Sequence, residues 1–161
     1  MFKPFLPLIA LGTVAGCLCG AEEPSAPATY KSAADLMATL MQSAQKTPAQ
    51  ATAPISNQSH YRVNIVRRDR PGFALTHATG PAKGSEVHYI IDGSATVVTG
   101  GTLVRAPGET GMRNATIEGG ETRHVSKGDV IVVPAGTPHW YKEVQGSVTY
   151  LEVRFDVDLS Q

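Results

Sequence analysis

From residue 60 onward the chain is a succession of short alternating runs broken by glycine, and this periodicity narrows its possible folds more than any other feature. Tyr61, Val63 and Ile65 alternate with Arg62, Asn64 and Val66, the period of a half-buried strand. Similar runs follow near 73–78, 85–92, 94–99, 102–105, 114–118, 121–126, 129–133 and 147–156. Turns such as Asp92-Gly93-Ser94 and Gly119-Gly120 separate them, and the 16 Gly and 11 Pro of the chain supply the breaks. Many short strands at this spacing predict an all-β sandwich or barrel. The 161 residues suffice for one domain with a real core and are too few for two. Fourteen basic residues balance fourteen acidic ones, so no electrostatic footprint for nucleic acid or an acidic membrane surface is present.

Residues 1–21 read as an export signal and stand outside the fold argument. Lys3 gives a short positive region, and Phe5 to Val14 gives an apolar stretch too short for a permanent span. Val14-Ala15-Gly16-Cys17 resembles the bacterial lipobox, in which the cysteine carries the lipid; cleavage after Cys19-Gly20-Ala21 also satisfies the small-residue rule. The expectation is an exported protein, periplasmic or anchored to the bacterial envelope through Cys17. Both cysteines, Cys17 and Cys19, lie in this segment. The folded domain is therefore expected without a disulfide, a cysteine zinc site or a thiol nucleophile.

Residues 22–59 are expected to be a linker carrying one helix. Glu22 to Thr29 is a Pro/Ala/Ser tether. Ser32-Ala33-Ala34-Asp35 resembles a capping box and opens a run with Leu36, Met37, Leu40 and Met41 on one face, which predicts a helix over about 32–46. Thr47 to Ser59 reads as further linker, and the β domain as 60–161.

Within that domain, Gly128 to His139 (GDVIVVPAGTPH) concentrates the most information. Val130 to Val133 is a β-branched run, Pro134 stops it for want of an N–H, and Gly136 is free to take φ > 0. The corner delivers His139, either to a metal or simply into a core. Gly128, five residues, Pro134, one residue, Gly136, two residues, His139 resembles the second conserved motif of the cupin superfamily, departing only at Glu143, where the family often has Asn. Glu86 to Gly93 resembles the second half of the other cupin motif, in which a glutamate ligand precedes a glycine by seven positions. The resemblance spans roughly residues 60–157. It implies a double-stranded β-helix, the jelly-roll cupin barrel, preceded by one short N-terminal helix.

The resemblance also implies a metal site. Glu86 and His139 take the positions of family ligands, and alternation places His88 and Ile90 on the same strand face as Glu86. The family's pair of histidines ahead of the glutamate is missing, because Thr79, Gly80, Pro81 and Ala82 stand there. His77, nine residues before Glu86, and His88 are the available substitutes. Two histidines and a carboxylate would suit a divalent ion, Fe(II), Mn(II) or Zn(II), with open positions. Tyr141, two residues past His139, shares its face and with Ile90 is expected to line the pocket. Arg105, Arg113, Arg123 and Arg154 read mainly as surface arginines, and His124 as solvent-facing. Two functions stay open. One is a metal-dependent enzyme acting on a small molecule, of dioxygenase or isomerase type; the other is a binding or sensing module without turnover. The resemblance further implies a homodimer formed through a sheet edge, with membrane contact only through the lipid anchor.

Overall fold

A computed structural model describes residues 26–72, 74–75, 84–105, 107–108 and 115–156. The elements are α1 (Ala33–Lys46), β1 (Gln50–Asn57), β2 (Tyr61–Arg68), β3 (Ser85–Thr99), β4 (Thr102–Val104), β5 (Thr116–Glu118), β6 (Glu121–Ser126), β7 (Val130–Val133) and β8 (His139–Phe155). The architecture is an all-β jelly roll with one short helix. Cys17 and the rest of residues 1–21, expected as an export signal, lie outside the described residues.

Ser32 starts α1 by accepting the Asp35 N–H at 3.1 Å, the local bond that makes Ser-x-x-Asp a start signal. Leu36, Leu40 and Ala44, spaced four apart, form its apolar stripe and close over Ala51, Ala53 and Ile65. Met37 and Met41, expected on the same face, flank the stripe and are exposed.

The segment 47–59, expected as linker, instead contains β1, which pairs antiparallel with β2 from Gln50↔Arg68 to Asn57↔Arg62. Pro54 hid it. A proline removes a ladder donor, yet β1 is the outermost strand of its sheet, where that loss is tolerated, and the register slips between Pro54 and Ser56. The ordered domain therefore begins with α1 and β1 and not at residue 60.

Two long strands organise the barrel. The six-stranded sheet runs β1-β2-β8-β3-β6, with β7 on the free side of the first half of β3, and β4-β5 form a separate pair. Runs 85–92 and 94–99, expected as two strands joined by a turn at Asp92-Gly93-Ser94, are one strand, β3. Gly93 is a bend inside it. Its φ is 76°, and a Cβ there would sit 1.9 Å from the Ser147 carbonyl oxygen of β8. The β3–β8 register shifts at Ile90/Asp92, Gly93/Ala95 and Thr96/Val97, so the paired strands wrap around the core. β8 likewise starts at His139, eight residues before the expected 147. Of the strand expected near 73–78, Leu75 makes an isolated bridge to His139.

Inside the barrel, Val66, Ile90, Ala95, Val97, Val125, Tyr141, Val148 and Tyr150 form the main core. Alternation continues this inward set along β3 and β8 beyond the apolar residues. Beside Ile90↔Tyr150 stand His88↔Glu152 and Glu86↔Arg154, all on the same sheet face. The interior is thus apolar at its middle and polar at one end, and that end holds the site.

Candidate metal centre

Glu86, His88 and His139 converge at the polar end of the barrel. Each is buried, and one potential ligand atom from each lies within 4.8 Å of the other two. Three pieces of local structure place them. Glu86 and His88 are two apart on β3, so the pleat points both inward. His139 is the first residue of β8 and is delivered by the corner after β7, where Gly136 takes φ 81° and Thr137 N–H closes the turn on the Pro134 carbonyl. Backbone bonds with Leu75 in both directions, at 2.9 and 3.0 Å, fix His139 further.

Glu86 is the hub. Its Oε2 lies 2.9 Å from His88 Nε2 and 3.4 Å from His139 Nε2. Its Oε1 accepts from Arg154 Nε at 2.7 Å, and Arg154 Nη2 contacts the same oxygen. The guanidinium compensates a carboxylate that is only 1 % exposed, without which its burial would be very costly.

The histidines are oriented from behind. His139 Nδ1 sits 3.3 Å from the Thr137 carbonyl, which can only accept; Nδ1 therefore carries the proton, and Nε2 is the nitrogen turned to Glu86. His88 Nδ1 lies 3.1 Å from the Tyr141 hydroxyl, a group able to donate or accept. With Tyr141 donating, His88 Nε2–H bonds Glu86; with the hydroxyl rotated to accept, the His88 Nε2 lone pair is released. Burial holds the Tyr141 phenol well above its ordinary 10 and pushes Tyr150 up to about 12. Both phenols therefore stay neutral donors across the physiological range.

These residues fit a divalent cation. Donor atoms around one such ion lie about 3–3.5 Å apart for ligand bonds near 2.1 Å, close to the two spacings at Oε2. The set of one carboxylate oxygen and two imidazole nitrogens suits iron, manganese or zinc. Thr137 and Tyr141 supply the outer contacts that orient ligating imidazoles.

The site opens into a cavity of about 180 Å³, whose walls include Arg68, Leu75, Tyr141, Tyr150 and Glu152. Tyr141 and Tyr150 stack with centroids 4.9 Å apart. A wider cleft of about 290 Å³ at the β1–β2 turn has His60 and Asp156 on its walls. It brings together no triad of this kind among the described residues.

A family model for cupins, described simply as Cupin, matches residues 39–154. The chain belongs to the cupin family. The match begins inside α1, earlier than the resemblance in the sequence, in keeping with β1 being part of the sheet. Solved cupin-fold structures resemble it at low identity. The cupin domain of Schizosaccharomyces pombe Cnp3 is 13% identical over 68% of this chain, with a TM-score of 0.49, and this chain spans 63% of its length. KdgF from Halomonas sp. is 18% identical over 69% of this chain and 83% of its own, with a TM-score of 0.47. The DMSP lyase DddQ from Ruegeria pomeroyi is 16% identical over 73% of this chain and 52% of its own, with a TM-score of 0.47. No curated protein matches the sequence.

Against the expectations, this cupin brings Glu86, His88 and His139 together and places Tyr141 in the pocket wall. Ile90 is a correction. It shares the face of Glu86 but is completely buried in the apolar core and is absent from the cavity wall. His77, and the loop before Glu86 up to residue 83, lie outside the described residues. His124 is exposed on β6, as expected. Arg154, read as a surface arginine, is a partner of Glu86. Arg68, Tyr150 and Glu152 were missed as cavity residues. Their signal is the parity of β2 and β8, which puts Arg68 with Val66, and Glu152 and Arg154 with Tyr150.

Proposed function

We propose that Glu86, His88 and His139 hold one divalent metal ion, iron, manganese or zinc, and that the adjoining cavity takes a small molecule for metal-dependent chemistry of dioxygenase or isomerase type. The observation that carries this reading is the convergence of three buried donor groups on one point in a cavity wall. A bound ion would act as a Lewis acid toward an oxygen of the substrate. Glu86 offers Oε2 while Arg154 retains Oε1, and Thr137 keeps the His139 Nε2 lone pair available. Tyr141, neutral through burial, donates or accepts a hydrogen bond at His88 Nδ1.

A second reading, a binding or sensing module without turnover, is favoured by the Arg154–Glu86 pair. Arg154 already gives the buried carboxylate a compensating charge without a cation. The reading extends to an exported protein, periplasmic or held at the envelope through Cys17. It also includes a homodimer, which the exposed, adjacent Tyr89 and Val130 on the outer face of β3 and β7 support.

The test is metal analysis by mass spectrometry on the purified protein beside Glu86→Ala and His139→Ala. About one equivalent of iron, manganese or zinc, lost in both variants, is the expected result. A wild-type protein that takes up no metal after reconstitution would overturn the metal reading and leave the ligand-binding module.

A further inference from the structure

Arg68 is a charged side chain of the cavity wall that the triad does not use. It ends β2, with its alternation facing the barrel interior beside Val66. Its Nε donates to the Tyr150 hydroxyl at 3.0 Å, and its guanidinium carbon lies 5.2 Å from the centre of the Tyr141 ring. Those contacts use one edge and one face of the guanidinium. The two Nη groups have no hydrogen-bond acceptor among the described residues. Arginine presents its donors as a rigid planar fork that matches a carboxylate. The Tyr150 oxygen accepts from Arg68, which leaves its own O–H with no acceptor among the described residues.

The surroundings reserve this position. Gly72 backs the guanidinium so closely that a Cβ there would lie 2.8 Å from Arg68 Nη1. Gly72 is itself tied down, its N–H to the Tyr141 carbonyl at 3.0 Å and its carbonyl to Trp140 Nε1–H at 3.0 Å. The charges decide the sign of the ligand. Among the described residues of the cavity wall, Arg68 and Arg154 offset Glu86 and Glu152, so a dication at the triad would leave this set with an excess of two positive charges. Tyr141 joins the two halves, with Arg68 over its ring and its hydroxyl on His88.

We infer that Arg68, with the Tyr150 hydroxyl beside it, anchors the carboxylate of a short-chain organic acid whose other end carries an oxygen donor directed at Glu86, His88 and His139. This rests on the proposed metal reading for the second end of the ligand and stands without it for the carboxylate end. Arg68 sets the substrate class, and Gly72 is a positioning residue for it.

The experiment is isothermal titration calorimetry with malonate, succinate and the neutral 1,4-butanediol. It is run on metal-free and Co(II)-reconstituted protein, wild type beside Arg68→Gln, Arg68→Lys and Gly72→Ala, with cobalt stoichiometry and melting temperature recorded for each. Wild type is expected to bind at least one diacid and not the diol. Arg68→Gln should weaken that binding tenfold or more, and Arg68→Lys by less, since it keeps charge and loses the fork. Gly72→Ala should weaken it while the melting temperature stays near wild type, because the displaced atom is the mobile end of a side chain. Cobalt stoichiometry should be equal in all four. If no cobalt binds but diacid binding still depends on Arg68, the anchor stands and the metal reading falls. Diacid binding unchanged in Arg68→Gln, or no diacid binding by either form of the wild type, overturns the anchor.

Discussion

Arg154 and Glu86 are directly opposed on β8 and β3, and the guanidinium takes one carboxylate oxygen while the other faces both imidazoles. The cationic partner of the triad is thus built into the neighbouring strand. Removing it strands a buried carboxylate, a change that typically costs about 3–5 kcal/mol. Arg154→Ala should lower the unfolding free energy of the metal-free protein by at least about 2 kcal/mol, allowing for the partial exposure of the arginine. Saturating Zn(II) should recover much of the difference. Urea unfolding with and without zinc measures both, and an equal deficit in the two conditions would contradict the shared role.

A metal held by the triad would feel Tyr141 through His88. Tyr141→Phe keeps the ring that stacks on Tyr150 and removes only the hydroxyl at His88 Nδ1. Metal affinity should fall about 10-fold or more, the effect of losing an outer-shell partner. Competition with a chromophoric chelator reads it directly. An unchanged affinity would mean that His88 is oriented by its neighbours on β3 alone.

The buried phenols predict an alkaline limit. Below pH 10, folded and unfolded chains both keep their tyrosine protons, so the contribution to stability is fully present. Between pH 10 and the Tyr150 value of about 12, the unfolded chain ionises first, and stability falls as pH rises. The slope is up to about 1.4 kcal/mol per pH unit for each such tyrosine. Tyr150→Phe should flatten the decline in a series of urea melts from pH 9 to about 12. Equal slopes in both proteins would assign the alkaline loss to other groups.

Gly93 and Gly100 both adopt φ near 75°, yet they differ in what surrounds them. At Gly93 a Cβ would drive into the Ser147 carbonyl; at Gly100 it would meet nothing within 4 Å. Gly100→Ala should therefore cost only the left-handed backbone penalty of about 1–2 kcal/mol. Gly93→Ala should cost about 3 kcal/mol or more and disturb the β3–β8 bend. Urea midpoints of the two variants compare them, and similar losses would mean that the bend relaxes easily.

Much of the site was legible because it obeys short-range rules. The two-residue pleat joined Glu86 to His88, and the Gly-Pro corner marked His139. What escaped notice depends on pairing across the chain. Arg154 meets Glu86 over a separation of 68 residues, and nothing near Arg154 in the sequence distinguishes it from a solvated strand arginine. Arg68 sits in the run Arg67-Arg68-Asp69-Arg70, which looks like a charged surface until Val66 is seen to point inward. Ile90 erred the other way. Alternation predicted its face correctly, but a shared face does not say how deep along the barrel a residue lies. β1 was lost to Pro54, which argues against a central strand and not against an edge.

The wrap of β3 and β8 has a consequence for how the site comes into being. Its parts are first neighbours only when the ends of the barrel have closed: His139 opens β8, Arg154 stands at its far end, and Glu86 comes from the start of β3. Closing such distant segments carries an entropic cost before any contact repays it. Occupancy then reports on the whole domain, because a ligand bound only by the closed barrel stabilises it in proportion to the logarithm of its concentration over its dissociation constant. For this chain, a ligand of the closed site would register as added resistance to global unfolding.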